Sequence, residues 1–163
     1  MLYQLDNSID KFIDRAKQYS NKGIECPINR KFNAGAVGKV IENNIIEYTH
    51  RDNKSDMPGL ELKSKNINSN NTISLAKYTD PDNTFNRTFN KVKDNLALIF
   101  YYIKNDKIYF NKMSLFTKIN KRLFATYLSP VIRGEQINYT IGVANLEKVY
   151  NECRVYEYEK EAV

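Results

Sequence analysis

Residues 96–103 form an unbroken apolar run, Leu96, Ala97, Leu98, Ile99, Phe100, Tyr101, Tyr102 and Ile103, bounded by Asn95 and Lys104. A strand sends alternate side chains to opposite faces, so a run that is apolar at every position needs cover on both sides. Its length falls well short of a membrane span and its ends are polar, which makes it the central strand of a sheet and the core of the fold. Asn105 and Asp106 follow as turn residues, and residues 107–113 return as a second strand, giving a hairpin.

The rest of the chain supplies cover for that strand. Residues 6–20 read as a helix capped by Asp6, Asn7 or Ser8, with an apolar stripe of Ile9, Phe12, Ile13 and Ala16, and Gly23 closes it. Residues 24–34 read as a loop. A second helix opens near Gly35 and carries Val37, Val40, Ile41, Ile45 and Tyr48 at helical spacing. Residues 60–65 and 72–78 alternate as strands around a polar connection at 66–71. Asp80, Pro81, Asp82 and Asn83 signal a turn. Residues 84–93 fit either a short helix or a loop facing a ligand, and 116–128 mix aromatic with basic side chains. A strand at 136–141, a helix at 143–150 with Leu146 and Val149 inward, and a charged tail from 155 that is expected to fray complete the pattern. With 163 residues the expectation is one domain spanning 1–163, of the α/β (α+β) class, with a mixed sheet of about five strands flanked by helices.

The residues with chemical potential lie just before the core. Leu60 and Leu62 face one way on their strand, while Glu61, Lys63 and Lys65 share the opposite face. Met57, Pro58 and Gly59 favour a turn that swings the Asp56 carboxylate back toward Glu61. Two carboxylates are hard oxygen ligands suited to Mg²⁺ together with a substrate phosphate. A lysine beside them can orient a water or stabilise developing negative charge, so the chemistry implied is phosphodiester hydrolysis. The spacing alone is weak, arising by chance in on the order of 3% of chains this long; the plain alternative is a solvated, charged strand face. The preceding helix adds Glu42, one turn beyond Gly38, where the missing side chain lets another backbone or a phosphate come close.

Residues 28–42 (INRKFNAGAVGKVIE) followed by Asp56, Glu61, Leu62 and Lys63 resemble the MutH and MvaI/BcnI branch of the PD-(D/E)xK nuclease superfamily, whose members share a glycine-containing helix ending in Glu and then a D-x(4 or more)-E-L-K segment. The resemblance covers roughly residues 28–65. It implies a restriction-endonuclease-like fold and a Mg²⁺-dependent DNA endonuclease, with Mn²⁺ as a substitute metal. Asp56 and Glu61 would be metal ligands together with the Leu62 carbonyl, Lys63 the catalytic lysine, and Glu42 the helix glutamate near the metal. It also implies cleavage of double-stranded DNA as a type II restriction enzyme, monomer or homodimer, with a cognate DNA methyltransferase in the same system.

Charge agrees with a polyanionic partner. Lysine and arginine total 25 against 19 acidic residues, a formal charge of +6 and a pI near 9.2, and such surfaces gain affinity for nucleic acid by releasing counterions. Arg30, Lys31, Asn33, Lys39, Lys65 and Lys77 are the candidate DNA contacts, each weighed against ordinary surface charge. Cys26 and Cys153 stand far apart without metal spacing and read as reduced thiols. His50, the sole histidine, reads as a bystander. No leader pattern and no membrane-length apolar stretch is visible, so the expected location is cytoplasmic. The rival reading is a DNA-binding or regulatory module that keeps the fold without cutting; a further alternative is the catalytic part of a mismatch-repair nickase.

Overall fold

The computed structural model describes residues 2–26, 34–46 and 59–158. In chain order the elements are α1 (Leu2–Lys22), β1 (Ile24–Glu25), α2 (Ala34–Ile45), β2 (Glu61–Asn66), β3 (Thr72–Tyr78), α3 (Thr84–Val92), β4 (Asn95–Lys104), β5 (Lys107–Ile119), α4 (Lys121–Tyr127), β6 (Ser129–Arg133), β7 (Gln136–Gly142), α5 (Val143–Val149) and β8 (Tyr150–Glu157). No helix among the described residues is long and apolar enough to cross a membrane.

The apolar run becomes β4, paired with β2 on one side and β5 on the other. It is buried on both faces. Ala97, Ile99 and Tyr101 join one core with Phe12, Ala16, Val37 and Ile41 of α1 and α2. Leu96 and Leu98 join a second core with Val92, Phe124, Leu146 and Val149 from α3, α4 and α5. Asn105 and Asp106 both take positive φ, 52° and 62°, in the two-residue turn from β4 to β5. That conformation matches the twist of a hairpin and suits Asn and Asp better than most residues.

β5 is longer than the sequence suggests, running on to Ile119 and taking two strands along its free edge. β1 pairs near its start, where Ile24 faces Ile108, although residues 24–34 read as a loop. β8 pairs along its second half, from Lys112 opposite Glu157 to Ile119 opposite Tyr150. The expectation of a fraying tail from 155 is therefore corrected for 155–157: their backbone hydrogen bonds go to β5, which offsets the exposure of their side chains. β2 and β4 run parallel, Glu61 opposite Leu96, and the other pairs are antiparallel. The result is the mixed five-stranded sheet that was expected.

A second sheet was not expected. β3, β7 and β6 form an antiparallel three-stranded sheet. Its inner face brings Ile73, Leu75 and Ile141 into the second core. The ambiguous segment at 84–93 is the helix α3, bolted to this sheet by side chains: Thr84 and Tyr139 hydroxyls lie 2.7 Å apart, Tyr78 and Thr88 hydroxyls 3.0 Å apart, and the Arg87 guanidinium sits 4.4 Å over the Tyr78 ring. The turn before it is structural as well. Arg87 Nη1 donates to Asp80 at 2.9 Å, and the Asp82 backbone N–H, aided by Arg87, holds the Asp80 carboxyl below its usual pKa.

Candidate functional site

The site is assembled where α2, β2, β3 and α3 meet. α2 packs on β2 at Gly38, where an added Cβ would lie 3.2 Å from Ser64 Oγ. That approach sets Glu42, one turn later, on the wall of a groove of about 1090 Å³. The same groove is lined by Lys39 from α2, Leu62, Lys63 and Lys65 from β2, and Ser74 and Lys77 from β3. The structure thus brings Glu42, Lys39, Leu62, Lys63, Lys65 and Lys77 to one cavity. Asp56, Arg30, Lys31 and Asn33 lie outside the described residues, as do Tyr48 and His50.

Glu61 opens β2 beside this groove and is 1% exposed. Leu60 and Leu62 turn into the first core, so strand alternation sends Glu61 and Lys63 the other way, as the sequence suggests. Lys63 Nζ lies 3.4 Å from Glu61 Oε2. A carboxylate taken out of water is costly unless paired. A second cation helps: Lys91 Nζ, from the last turn of α3, stands 3.7 Å from the same oxygen. The start of the strand is fixed by Asn95 Nδ2, which donates to the Gly59 carbonyl at 2.7 Å.

Lys65 is held differently from its neighbours. Its ammonium donates to Ser69 Oγ at 2.9 Å and to the Thr72 carbonyl at 3.1 Å, with Asn70 Oδ1 at 3.5 Å. It closes the turn between β2 and β3 from a position only 9% exposed, and burial lowers its pKa. Lys39 and Lys77 are exposed. Leu62 keeps its side chain in the core, and its backbone lies opposite Ala97 of β4.

Lys91 borders Glu61 and Tyr150 lies within its electrostatic reach; sequence marks neither for that place. Lys91 falls in the segment 84–93, which fits either a helix or a loop; the helix puts it next to the inward-facing Val92. Tyr150 follows α5, and its hydroxyl donates to the Val92 carbonyl at 2.6 Å. Burial, with the charges of Glu61 and Asp94 behind it, pushes its pKa up, so it stays protonated. No local pattern marks a tyrosine for that place.

The candidate donors are oxygens, the type a hard divalent cation takes. Glu61 and Glu42 offer carboxylate oxygens and Leu62 a carbonyl, the ligand types of Mg²⁺ rather than of zinc, which favours Cys and His. Among the described residues no three His, Cys, Asp or Glu side chains cluster as a metal site. Cys26 is buried and Cys153 exposed, both free thiols.

Comparison with solved structures shows that this arrangement, α2 laid on a mixed five-stranded sheet, is a restriction-endonuclease-like fold. The structure of the restriction endonuclease MvaI in complex with its cognate DNA substrate superposes with a TM-score of 0.57 at 14% identity, over 88% of this chain and 96% of that one. The restriction endonuclease BglI bound to its DNA recognition sequence gives 0.46 at 10% identity, over 97% and 87%. The first superposition carries the assignment of fold. No protein-family profile matches the sequence, and no curated protein matches it.

Proposed function

We propose that this chain is a metal-dependent endonuclease that hydrolyses phosphodiester bonds in double-stranded DNA, of the type II restriction kind and of the MutH and MvaI/BcnI branch. The observation that carries the reading is the Glu61–Lys63 pair, 3.4 Å apart on β2 of a restriction-endonuclease-like sheet. Support comes also from Glu42 on the wall of the adjoining groove and from the lysines around it.

In this reading Glu61, Asp56 and the Leu62 carbonyl would hold Mg²⁺, and Glu42 would be the helix glutamate of the site. Bound there, the cation would neutralise phosphate charge and make a water more acidic. The chain's own residues do the rest. Lys63 offsets the charge of Glu61, 3.4 Å away, and can donate a hydrogen bond to the attacking water or to a phosphate oxygen. Lys39 and Lys77 line the groove as counter-charges for a nucleic-acid backbone.

The test is digestion of supercoiled plasmid with Mg²⁺ and with EDTA, for the wild type and Lys63→Ala. Cleavage should require the cation, and Lys63→Ala should cut at least about 10²-fold more slowly while still retaining DNA. Absence of cutting by the wild type on DNA of every methylation state, with binding intact, would replace this reading with that of a non-cleaving DNA-binding module.

A further inference from the structure

We propose that the outer face of the second sheet, β3, β7 and β6, binds duplex DNA beyond the cut site and reads its base edges. The inference rests on the nuclease reading of the adjoining groove. Directly paired residues of antiparallel strands point the same way. Lys77 of β3 stands opposite Asn138 of β7, which stands opposite Val131 of β6, and Gln136 of β7 stands opposite Arg133. These side chains therefore share one face, while Ile73, Leu75 and Ile141 fill the core from the other.

The shared face is polar and carries no acidic side chain at its paired positions. Glu135 lies in the two-residue turn between β6 and β7, outside the pairing. Lys77, Val131, Arg133 and Gln136 are exposed. The Ser74 hydroxyl donates to Asn138 Oδ1 at 2.5 Å, which orients the amide across the strands. Ser74 and Lys77 also line the candidate groove, so the face and the site form one continuous surface.

Both dimensions and chemistry match a duplex. The two-stranded ribbon of β6 and β7, about 10 Å across at ~4.8 Å per strand, fits a major groove ~12 Å wide. Arg133 has the fork that pairs with guanine, Gln136 and Asn138 have amides that pair with adenine, and Val131 offers an apolar contact for a thymine methyl. Lys77, next to the groove, is suited to phosphate. A basic, acid-free face continuous with a phosphate-cleaving groove favours DNA over a protein partner.

The experiment is binding in EDTA, so that cleavage plays no part. The wild type, Arg133→Ala/Gln136→Ala and a control, Lys17→Ala on the exposed side of α1, are titrated against a random duplex pool, and retained sequences are read. The double variant should bind about tenfold more weakly, the control like the wild type. Arg133→Ala and Gln136→Ala should each enrich sequences that differ from the wild type's at one or two base pairs. Wild-type affinity in the double variant, or unchanged enriched sequences, would overturn the inference and leave the nuclease reading standing. Failure of the wild type to retain duplex would overturn the inference as well, and plasmid digestion would then separately decide the nuclease reading.

Discussion

Glu61 is the residue on which charge and burial conflict most. Its carboxylate is almost wholly excluded from solvent and meets Lys63 at 3.4 Å and Lys91 at 3.7 Å. Removing one partner of a buried pair costs more than the pair contributes, because the remaining charge keeps its desolvation penalty. Lys91→Met, which keeps the aliphatic stem, should therefore lower stability by about 1–3 kcal/mol, read as a reduced midpoint in urea; an unchanged midpoint would mean that Lys91 does not hold the carboxylate in solution. Tyr158 presents the opposite problem. Its hydroxyl is buried without a hydrogen-bond partner among the described residues, and burial, reinforced by the neighbouring Tyr156, pushes its pKa up to about 12. A folded pKa above the unfolded value of about 10 means that the contribution to stability is complete below pH ~10 and is lost as pH rises toward ~12. Thermal melts across that window should fall more steeply for the wild type than for Tyr158→Phe. Near neutral pH the phenylalanine variant should be as stable or up to ~1 kcal/mol more stable.

At the scale of elements, the contact that positions the site is α2 on β2. Gly38 allows it, since any side chain there points at Ser64. A branched side chain there adds two methyl groups to that approach, so Gly38→Val should press α2 away from β2. The expected loss is about 1–3 kcal/mol from overpacking, together with slower plasmid cleavage as Glu42 shifts relative to Lys63. A variant with wild-type melting and cleavage would show that the helix can sit elsewhere. The legibility of elements followed their burial. β4 was plain because both its faces are apolar, and α2 because its stripe has helical period. β6 and most of β8 expose their side chains, so no alternation marks them as strands. Beyond 113 the sequence does not mark β5 as a strand, because Ser114, Thr117 and Lys118 interrupt the apolar pattern.

For the molecule as a whole, β4 joins two cores, one roofed by α1 and α2, the other by α3, α4, α5 and the second sheet. The candidate site lies where these two halves meet at β2, so its geometry depends on both. Leu98 is fully buried in the second core. Leu98→Ala should cost about 2–5 kcal/mol; if unfolding is cooperative, circular dichroism and tyrosine fluorescence should shift together, and separate transitions would show that the halves unfold independently.

The sequence by itself determined the central strand, the pairing of Glu61 with Lys63, and the glycine-bearing helix that carries Glu42. Each follows from the fixed period of a strand or helix, which is local covalent geometry. Only the tertiary structure decided that Lys91 borders Glu61, that the Tyr150 hydroxyl reaches the Val92 carbonyl, that Lys65 closes a turn, and that β3, β7 and β6 form a sheet of their own. Those relations join residues far apart in the chain, and their partners are chosen by how the cores close.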